Sequence, residues 1–149
     1  MKKNIKKSTE NEYHKFRKYF VFSCVDVIIL KNNSVLLMKR TQNPHKGSWH
    51  IPGSIIRKNE TMLQAVKRAA KNELNLNVKI KKYVGMYENL NSYRHDVSHG
   101  FIVTVISGKI KTDFQTKELK FFKKIPKNTV PHHKKMIKDI FNKFKKIQK

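Results

Sequence analysis

The first half of the chain carries two apolar runs separated by a polar pair. Phe20 to Leu30 is rich in Val, Ile and Phe, and the apolar pattern resumes from Ser34 to Arg40. Between the runs, Asn32 and Asn33 supply a turn that tolerates positive φ. The pattern therefore predicts a β-hairpin, followed by a polar loop over residues 41–48.

A short strand and a helix are predicted next. Trp49 to Ile51 reads as a strand that ends at Pro52-Gly53. Thr61 has the side chain of a helix cap, and Asn75 accepts the left-handed conformation that closes a helix. The helix from Met62 to Leu74 then has one apolar stripe. Its members are Leu63, Val66, Ala70 and Leu74.

Strands dominate the second half until a last helix. The predicted strands are Val78 to Tyr87, Gly100 to Ile110 and Glu118 to Phe122, with Glu88 to Ser98 as a polar loop. The last helix has an apolar face ringed by lysines, so we expect it to pack on a sheet. Its apolar residues are Met136, Ile137, Ile140, Phe141, Phe144 and Ile147.

The order of elements predicts the fold class and the domain organisation. Strands flanking two helices favour an α/β (α+β) fold, an α/β/α sandwich with a mixed β-sheet. The first eighteen residues are polar and charged, and we expect a loose arm or a short helix there. The prediction is a basic N-terminal arm over residues 1–19. A single domain over residues 20–149 follows and ends in a basic amphipathic helix.

Length and apolar content favour one soluble domain. The chain has 149 residues, enough for a single core. Its longest apolar run, Tyr19 to Leu30, falls short of the roughly 20 residues that cross a bilayer, and Ser23 and Asp26 interrupt it. No secretory signal is apparent, and the lone Cys24 is interpreted as a core residue. We therefore expect a cytoplasmic protein without a membrane span.

Charge is the most unusual bulk property. The formal net charge is +24, with lysines crowded into residues 2–18 and 120–149. Such a field attracts polyanions, with strong salt dependence. Nonspecific contact with RNA or another polyanion is one expectation. A merely solvated surface is the other, because the lysines lack the Arg, Gly and aromatic pattern of a nucleic-acid module.

The chemistry is expected where the Pro52-Gly53 turn meets the helix. Positions 69, 72 and 73 share one helix side, and they are occupied by Ala69, Asn72 and Glu73. One carboxylate, together with the carbonyl of Gly53, could hold Mg²⁺ if phosphate oxygens of a substrate complete the shell. This arrangement predicts a metal-dependent phosphate site.

This stretch resembles the signature of the Nudix hydrolase superfamily, G-x5-E-x7-R-E-U-x-E-E-x-G-U, where U is aliphatic. Glu60 and Arg68 match it, and Glu73 keeps one of the three metal-binding glutamates. Leu76 matches the final position. Four positions depart from the signature: Ser54 and Asn75 replace glycines, and Ala69 and Asn72 replace glutamates.

Flanking residues are similar to the GDP-mannose mannosyl hydrolase subgroup. The carriers are Lys39-Arg40-Thr41, Trp49, Pro52-Gly53 and Glu60-Thr61. The resemblance implies Mg²⁺, with Mn²⁺ as an alternative, and cleavage of the sugar carbon–oxygen bond; the subgroup's enzymes are homodimers. It implies three metal ligands, namely Gly53, Glu73 and Gln115.

Catalytic and substrate roles follow from the same resemblance. It assigns catalysis to Glu73, Arg40, Glu60 and Arg68, although Glu60 and Arg68 could equally bridge helix and turn. Substrate contacts are Asp26, Arg40 and His99. Thr116 stands where the subgroup has its histidine base, which leaves His95, His99 and Glu118 as candidates. His132 and His133 are interpreted as surface residues.

Three functions remain open at this point. The favoured one is magnesium-dependent hydrolysis of a GDP-mannose-like nucleotide sugar. A Nudix pyrophosphohydrolase acting on a dinucleotide, a dNTP or capped RNA is the second. The third is a degenerate Nudix fold that binds nucleotide or RNA without turnover.

Overall fold

The computed structural model describes residues 6–91, 93–110 and 118–147, of which 144–147 are described by their backbone alone. These ranges contain three helices, eight strands and no helix long and apolar enough to cross a membrane. The helices are α1 (Glu10–Tyr19), α2 (Met62–Leu74) and α3 (Pro131–Ile147). The strands are β1 (Phe22–Ile28), β2 (Leu30–Lys31), β3 (Ser34–Lys39), β4 (Trp49–His50), β5 (Gly53–Ile55), β6 (Leu76–Leu90), β7 (His95–Gly108) and β8 (Leu119–Phe122).

Two four-stranded sheets form the centre of the fold. The first has the order β5-β1-β7-β6, in which β1 and β7 are parallel and the other pairs antiparallel. The second has the order β2-β3-β4, and β8 also pairs with β3, in the antiparallel direction. The mixed sheet and the α+β class predicted from the sequence are thereby confirmed.

Alternating residues of β1 place helices on opposite faces of the first sheet. Val25 and Val27 belong to the core cluster that contains the buried face of α2. Ile28 belongs instead to the cluster that contains Met136 and Ile137 of α3. This alternation follows from the two-residue period of a strand and produces the predicted α/β/α layering.

The predicted hairpin is only partly formed. Asn32 and Asn33 have positive φ, 49° and 58°, as expected for the turn. The antiparallel partner of β3 is the two-residue β2, whereas β1 pairs with β5 and β7 in the other sheet. A single apolar run is thus divided between two sheets. Local alternation fixes which residues face a core, but not which strand is the neighbour.

Helix α2 begins and ends where predicted, but its buried face differs. Thr61 accepts a hydrogen bond from the Gln64 amide, and Asn75 closes the helix with φ 56°. Leu63, predicted to be buried, is 49 % exposed, whereas Ala69, expected on the site-facing side, is fully buried. Alanines let the helix lie close to the sheet, so the buried face includes them. It consists of Ala65, Val66, Ala69, Ala70 and Leu74.

The stretch from Glu88 to Ser98 was wrongly expected to be a polar loop. Strand β6 continues to Leu90, and β7 already begins at His95, so the two form a long hairpin. One face of these two strands lines a cavity and consists of polar residues. The stretch therefore lacks the apolar pattern of a buried strand.

Candidate functional site

A cavity of about 620 Å³ opens where β1, β4, β5 and β7 meet α1 and α3. Of the predicted site residues, Asp26, Arg40, Gly53 and Glu73 line it. Within the described residues, Glu60, Arg68 and His99 lie outside its lining. Gln115 and Thr116 fall outside the described residues. The structure therefore brings together four residues that lie far apart in the sequence.

Gly53 allows β5 to approach β1 at the buried Asp26. The two residues are register partners in the antiparallel pair. A Cβ on Gly53 would lie 2.6 Å from Asp26 Oδ1 and would overlap the carbonyl oxygen of Val25. Only glycine fits, so this turn residue and the carboxylate form one packed unit on the cavity wall.

Asp26 is buried within β1. A buried carboxylate without a partner is costly, so the sequence led us to expect a partner for it. Its Oδ2 lies 3.0 Å from Nε2 of His133, and both residues are 4 % exposed. Burial alone would raise the pKa of Asp26, but the neighbouring His133 ring and the Ser98 hydroxyl hold it below its usual value. Asp26 is therefore a buried anion, and His133 is not the surface residue expected from the sequence.

Ile51 fixes the tautomers of two histidines through its backbone. Its N–H donates to Nδ1 of His133 at 3.0 Å, so Nδ1 is an acceptor and the ring proton is on Nε2, beside Asp26. Its carbonyl lies 3.0 Å from Nδ1 of His50, so that nitrogen carries the proton and the Nε2 of His50 keeps its lone pair. One residue thus gives the two rings opposite hydrogen-bonding polarity.

His50 and His132 are uncharged in the folded protein. Burial lowers the pKa of each to about 3, and the adjacent His133 contributes in the same direction. Both rings are partly buried and line the cavity. The cavity therefore contains neutral imidazoles beside a carboxylate.

Asp26, His132 and His133 have the side chains of a metal site but the wrong tautomer for one. Their candidate ligand atoms all lie within 4.8 Å of one another. A metal on Nε2 of His133 would require Nδ1 to carry a proton or the ring to become an anion, yet Nδ1 already accepts the Ile51 N–H. The hydrogen bond to Ile51 thus opposes metal binding by this cluster.

Glu60 and Arg68 form a buried ion pair behind the Gly53 turn. Arg68 Nε donates to Glu60 Oε1 at 2.6 Å and Nη2 donates to Oε2 at 2.9 Å. Burial alone would raise the pKa of Glu60, but Arg68 and the amide of Arg57 hold it below its usual value. Arg68 also donates to Ser54 Oγ at 3.0 Å and to the Ile55 carbonyl at 2.8 Å. The pair therefore ties α2 to β5 and fixes the strand that begins at Gly53.

Arg40 and Glu73 contribute a cation and a carboxylate to the cavity lining. Arg40 follows β3, and its Nε donates to the Pro44 carbonyl at 2.7 Å, which orients the guanidinium. Burial lowers the pKa of Arg40, with the nearby Arg94 acting in the same direction. Glu73 is half-buried at the last turn of α2 and lines the same cavity. The two charges suit a diphosphate and the cation that accompanies it.

The candidate bases of the described chain lie away from the cavity lining. His99 is on β7 with its Nδ1 3.0 Å from the Tyr83 hydroxyl. Glu118 pairs with Lys39 at 3.2 Å on an exposed surface, and His95 lies 3.7 Å from Glu88. None of these three side chains is among the residues that line the cavity.

Helix α1 forms a cavity wall that sequence reasoning missed. Tyr13 stacks on Phe22 with ring centroids 5.3 Å apart, and its hydroxyl accepts a hydrogen bond from Arg94. Arg94 Nε lies 2.6 Å from Asp96 Oδ1, so the carboxylate of Asp96 balances the positive charge of Arg94. Arg17 donates to the carbonyl of Tyr93 at 2.9 Å. The sequence does show aromatic and arginine residues before and after the strand that contains Phe22. It does not show which of them pair, because Tyr13 and Arg94 lie far apart in the chain.

Comparisons with known proteins agree on one family. The sequence model described as the NUDIX domain matches residues 22–142. The chain is 38 % identical to an ADP-ribose pyrophosphatase of Methanocaldococcus jannaschii, over 93 % of this chain and 82 % of that protein. It is 32 % identical to the low-salt glycan biosynthesis protein Agl8 of Haloferax volcanii, over 66 % and 68 % of the two chains. A MutT NUDIX hydrolase structure from Burkholderia pseudomallei superposes with a TM-score of 0.73 at 17 % identity, covering 80 % of this chain and 98 % of that one.

Proposed function

Because the chain belongs to the NUDIX domain family and is a hydrolase, we propose that it cleaves a nucleoside-diphosphate sugar with the help of a divalent cation. The observation that carries the proposal is the shared lining of one cavity by Glu73, Gly53 and Arg40. ADP-ribose is the first candidate substrate, since the relative matched over nearly the whole chain is an ADP-ribose pyrophosphatase.

The donor set fits Mg²⁺ shared with a substrate. Ala69 and Asn72 have no carboxylate, so among the three motif positions Glu73 is the acidic side chain that α2 contributes to the cavity lining. With Gly53 and Gln115 as further ligands, Mg²⁺ would take its remaining ligands from phosphate oxygens and water. When bound, the ion supplies neutralisation of the diphosphate charge. Arg40 adds a second positive charge, while Glu60 and Arg68 act by positioning the Gly53 turn.

GDP-mannose is the second candidate. Retention of one helix glutamate is the pattern of the GDP-mannose mannosyl hydrolase subgroup, which supports it. In that reaction water replaces GDP at the sugar carbon, so GDP and mannose are released. Hydrolysis of ADP-ribose at phosphorus would instead give AMP and ribose 5-phosphate. The products therefore separate the two candidates without reference to rates.

The test is a product assay with purified protein, Mg²⁺ or Mn²⁺, and a panel of ADP-ribose, GDP-mannose, dinucleotides and capped RNA. We expect AMP and ribose 5-phosphate from ADP-ribose. Glu73→Gln should lower kcat/KM about a hundredfold, because several kcal/mol of charge stabilisation depend on the metal. Asn72→Ala, the exposed neighbour on α2, is the matched control and should retain activity.

Two results would count against the proposal. Turnover that is unchanged in Glu73→Gln would remove Glu73 from the metal site. Metal-dependent binding of the panel without any product would favour the degenerate, nucleotide- or RNA-binding alternative.

A further inference from the structure

The start of α3 is joined to the strand that precedes the Gly53 turn. The N–H of Trp49 donates to the Asn128 carbonyl at 2.9 Å, and the N–H of Val130 donates to the Trp49 carbonyl at 2.9 Å. These two bonds form a parallel bridge. In a parallel ladder the next bond would run from the N–H of Ile51 to the carbonyl of Val130.

His133 takes the place of that next partner. The Val130 carbonyl already accepts the N–H of Lys134, at 2.9 Å, at the start of α3. A buried N–H without a partner is costly, and the Ile51 N–H donates instead to Nδ1 of His133 at 3.0 Å. The imidazole therefore continues a backbone ladder that the helix interrupts.

The second nitrogen of the same ring reaches the opposite strand. Nε2 of His133 lies 3.0 Å from Oδ2 of Asp26, and both side chains are buried. Asp26 is the register partner of Gly53 on β1, and Ile51 precedes Gly53 by two residues. One ring thus contacts both the chain that enters the Gly53 turn and the strand that faces it.

The Gly53 carbonyl takes no part in the ladder between β1 and β5. The N–H of Val27 donates to the Pro52 carbonyl at 2.7 Å, which makes these two residues a hydrogen-bonded pair. Such pairs alternate with non-hydrogen-bonded pairs, so Asp26 and Gly53 form a pair of the second kind. The Gly53 carbonyl is therefore turned away from β1. Oδ1 of Asp26 lies 2.6 Å from the point that a Cβ of Gly53 would occupy, so this carboxylate packs directly on the turn.

We propose that His133 is a positioning residue for the divalent cation: it holds Ile51 and Asp26, and through them it sets the direction of the Gly53 carbonyl. The inference rests on the proposed function, which assigns the cation to Gly53 and Glu73. His133 is not a ligand itself. It controls metal affinity by fixing the turn from the side of α3.

The test measures the binding of Mn²⁺ alone. Electron paramagnetic resonance of the free ion gives the dissociation constant of the protein for Mn²⁺. His133→Leu removes both contacts and should raise that constant about tenfold or more, the usual effect of losing a residue that supports a metal ligand. Ile137→Val, one turn further along α3, is the matched control. It loosens the packing of a fully buried residue but keeps both contacts of His133, so the constant should not change.

Two further variants each keep one contact of the ring. His133→Asn has an amide oxygen near the position of Nδ1 and keeps an acceptor for Ile51. His133→Gln has an amide nitrogen near the position of Nε2 and keeps a donor beside Asp26. Both should bind Mn²⁺ more weakly than the wild type and more tightly than His133→Leu. If circular dichroism shows that His133→Leu does not fold, these two variants carry the test against Ile137→Val.

Turnover separates positioning of the metal from a general loss of structure. With a substrate cleaved by the wild type, the Mg²⁺ concentration that gives half of the full activity should rise in the His133 variants. Their kcat at saturating Mg²⁺ should stay close to that of the wild type. A kcat that falls while the Mg²⁺ requirement stays unchanged would overturn the inference.

The outcomes also separate this inference from the proposed function. Equal Mn²⁺ binding by the wild type and the His133 variants, or an equal weakening in Ile137→Val, overturns the inference alone. If the wild type does not bind Mn²⁺, or if Glu73→Gln leaves the binding unchanged, the proposed metal site is wrong and the inference is overturned with it.

Discussion

Mild acid should destabilise the protein through His50 and His132. Both have a pKa of about 3 in the folded protein, against 6.5 ordinarily. The folded state therefore excludes a proton that each histidine takes up on unfolding. The stability is fully present above the ordinary pKa and is lost as pH falls below it.

The size of the effect follows from the two pKa values. Between about pH 7 and pH 5, each histidine should lower the free energy of unfolding by about 2 kcal/mol. The sum for the pair, about 4 kcal/mol, is an upper bound because the rings interact. Total stabilities of small domains are about 5–15 kcal/mol, so the loss is large.

Urea unfolding followed by the fluorescence of Trp49, the single tryptophan, measures this directly. Trp49 is buried against Phe122, so its emission reports the packed state. His132→Asn should lose about 2 kcal/mol less than the wild type over the same pH range. His45→Asn is the control, since His45 is exposed with φ 63°, a conformation that asparagine accepts. A flat pH dependence, or an equal loss in wild type and His132→Asn, would refute the reasoning.

Two further predictions concern the turn that carries Gly53. Gly53→Ala should lower the free energy of unfolding by about 1–3 kcal/mol and reduce metal-dependent turnover, because its Cβ overlaps β1. Gly47→Ala, which is strained at φ 83° but has open space around its Cβ, should also lose stability yet keep its turnover, and equal turnover losses in the two variants would contradict the packing argument. Arg68→Met should lower the free energy of unfolding, measured with a chemical denaturant, by about 3–5 kcal/mol, because it leaves Glu60 buried without its partner. Adding Glu60→Gln to the same chain should recover part of that stability. No recovery would mean that the loss comes from packing and not from the unpaired charge.

Local signals made helix α2 predictable from the sequence. Thr61 and Asn75 mark its ends through contacts within a few residues, and both act as expected. The buried side of the helix was harder to predict from the sequence. The row of residues through Leu63 and the row through Ala65 and Ala69 are both compatible with a helical period. Small alanines carry little apolar signal, although they permit the closest packing.

The candidate site was predictable only as far as its motif extended. Asp26 could be recognised from the sequence because it is a carboxylate in an apolar strand. Its partner His133 is distant in sequence and was expected to be a surface residue. Ile51 orients two histidines through its backbone N–H and carbonyl. Every residue except proline has both groups, so the residue type at this position does not indicate that role. Spatial neighbours and backbone donors are the part of a site that a motif does not encode.

Helix α1 changes what can be transferred between relatives. The family match begins at residue 22, yet Lys7, Glu10, Tyr13 and His14 face the same cavity as Asp26. A ligand would therefore be enclosed partly by residues that precede the shared domain. Two proteins can agree over the whole matched range and still present different surfaces to a substrate, so substrate preference must be compared with the N-terminal segment included.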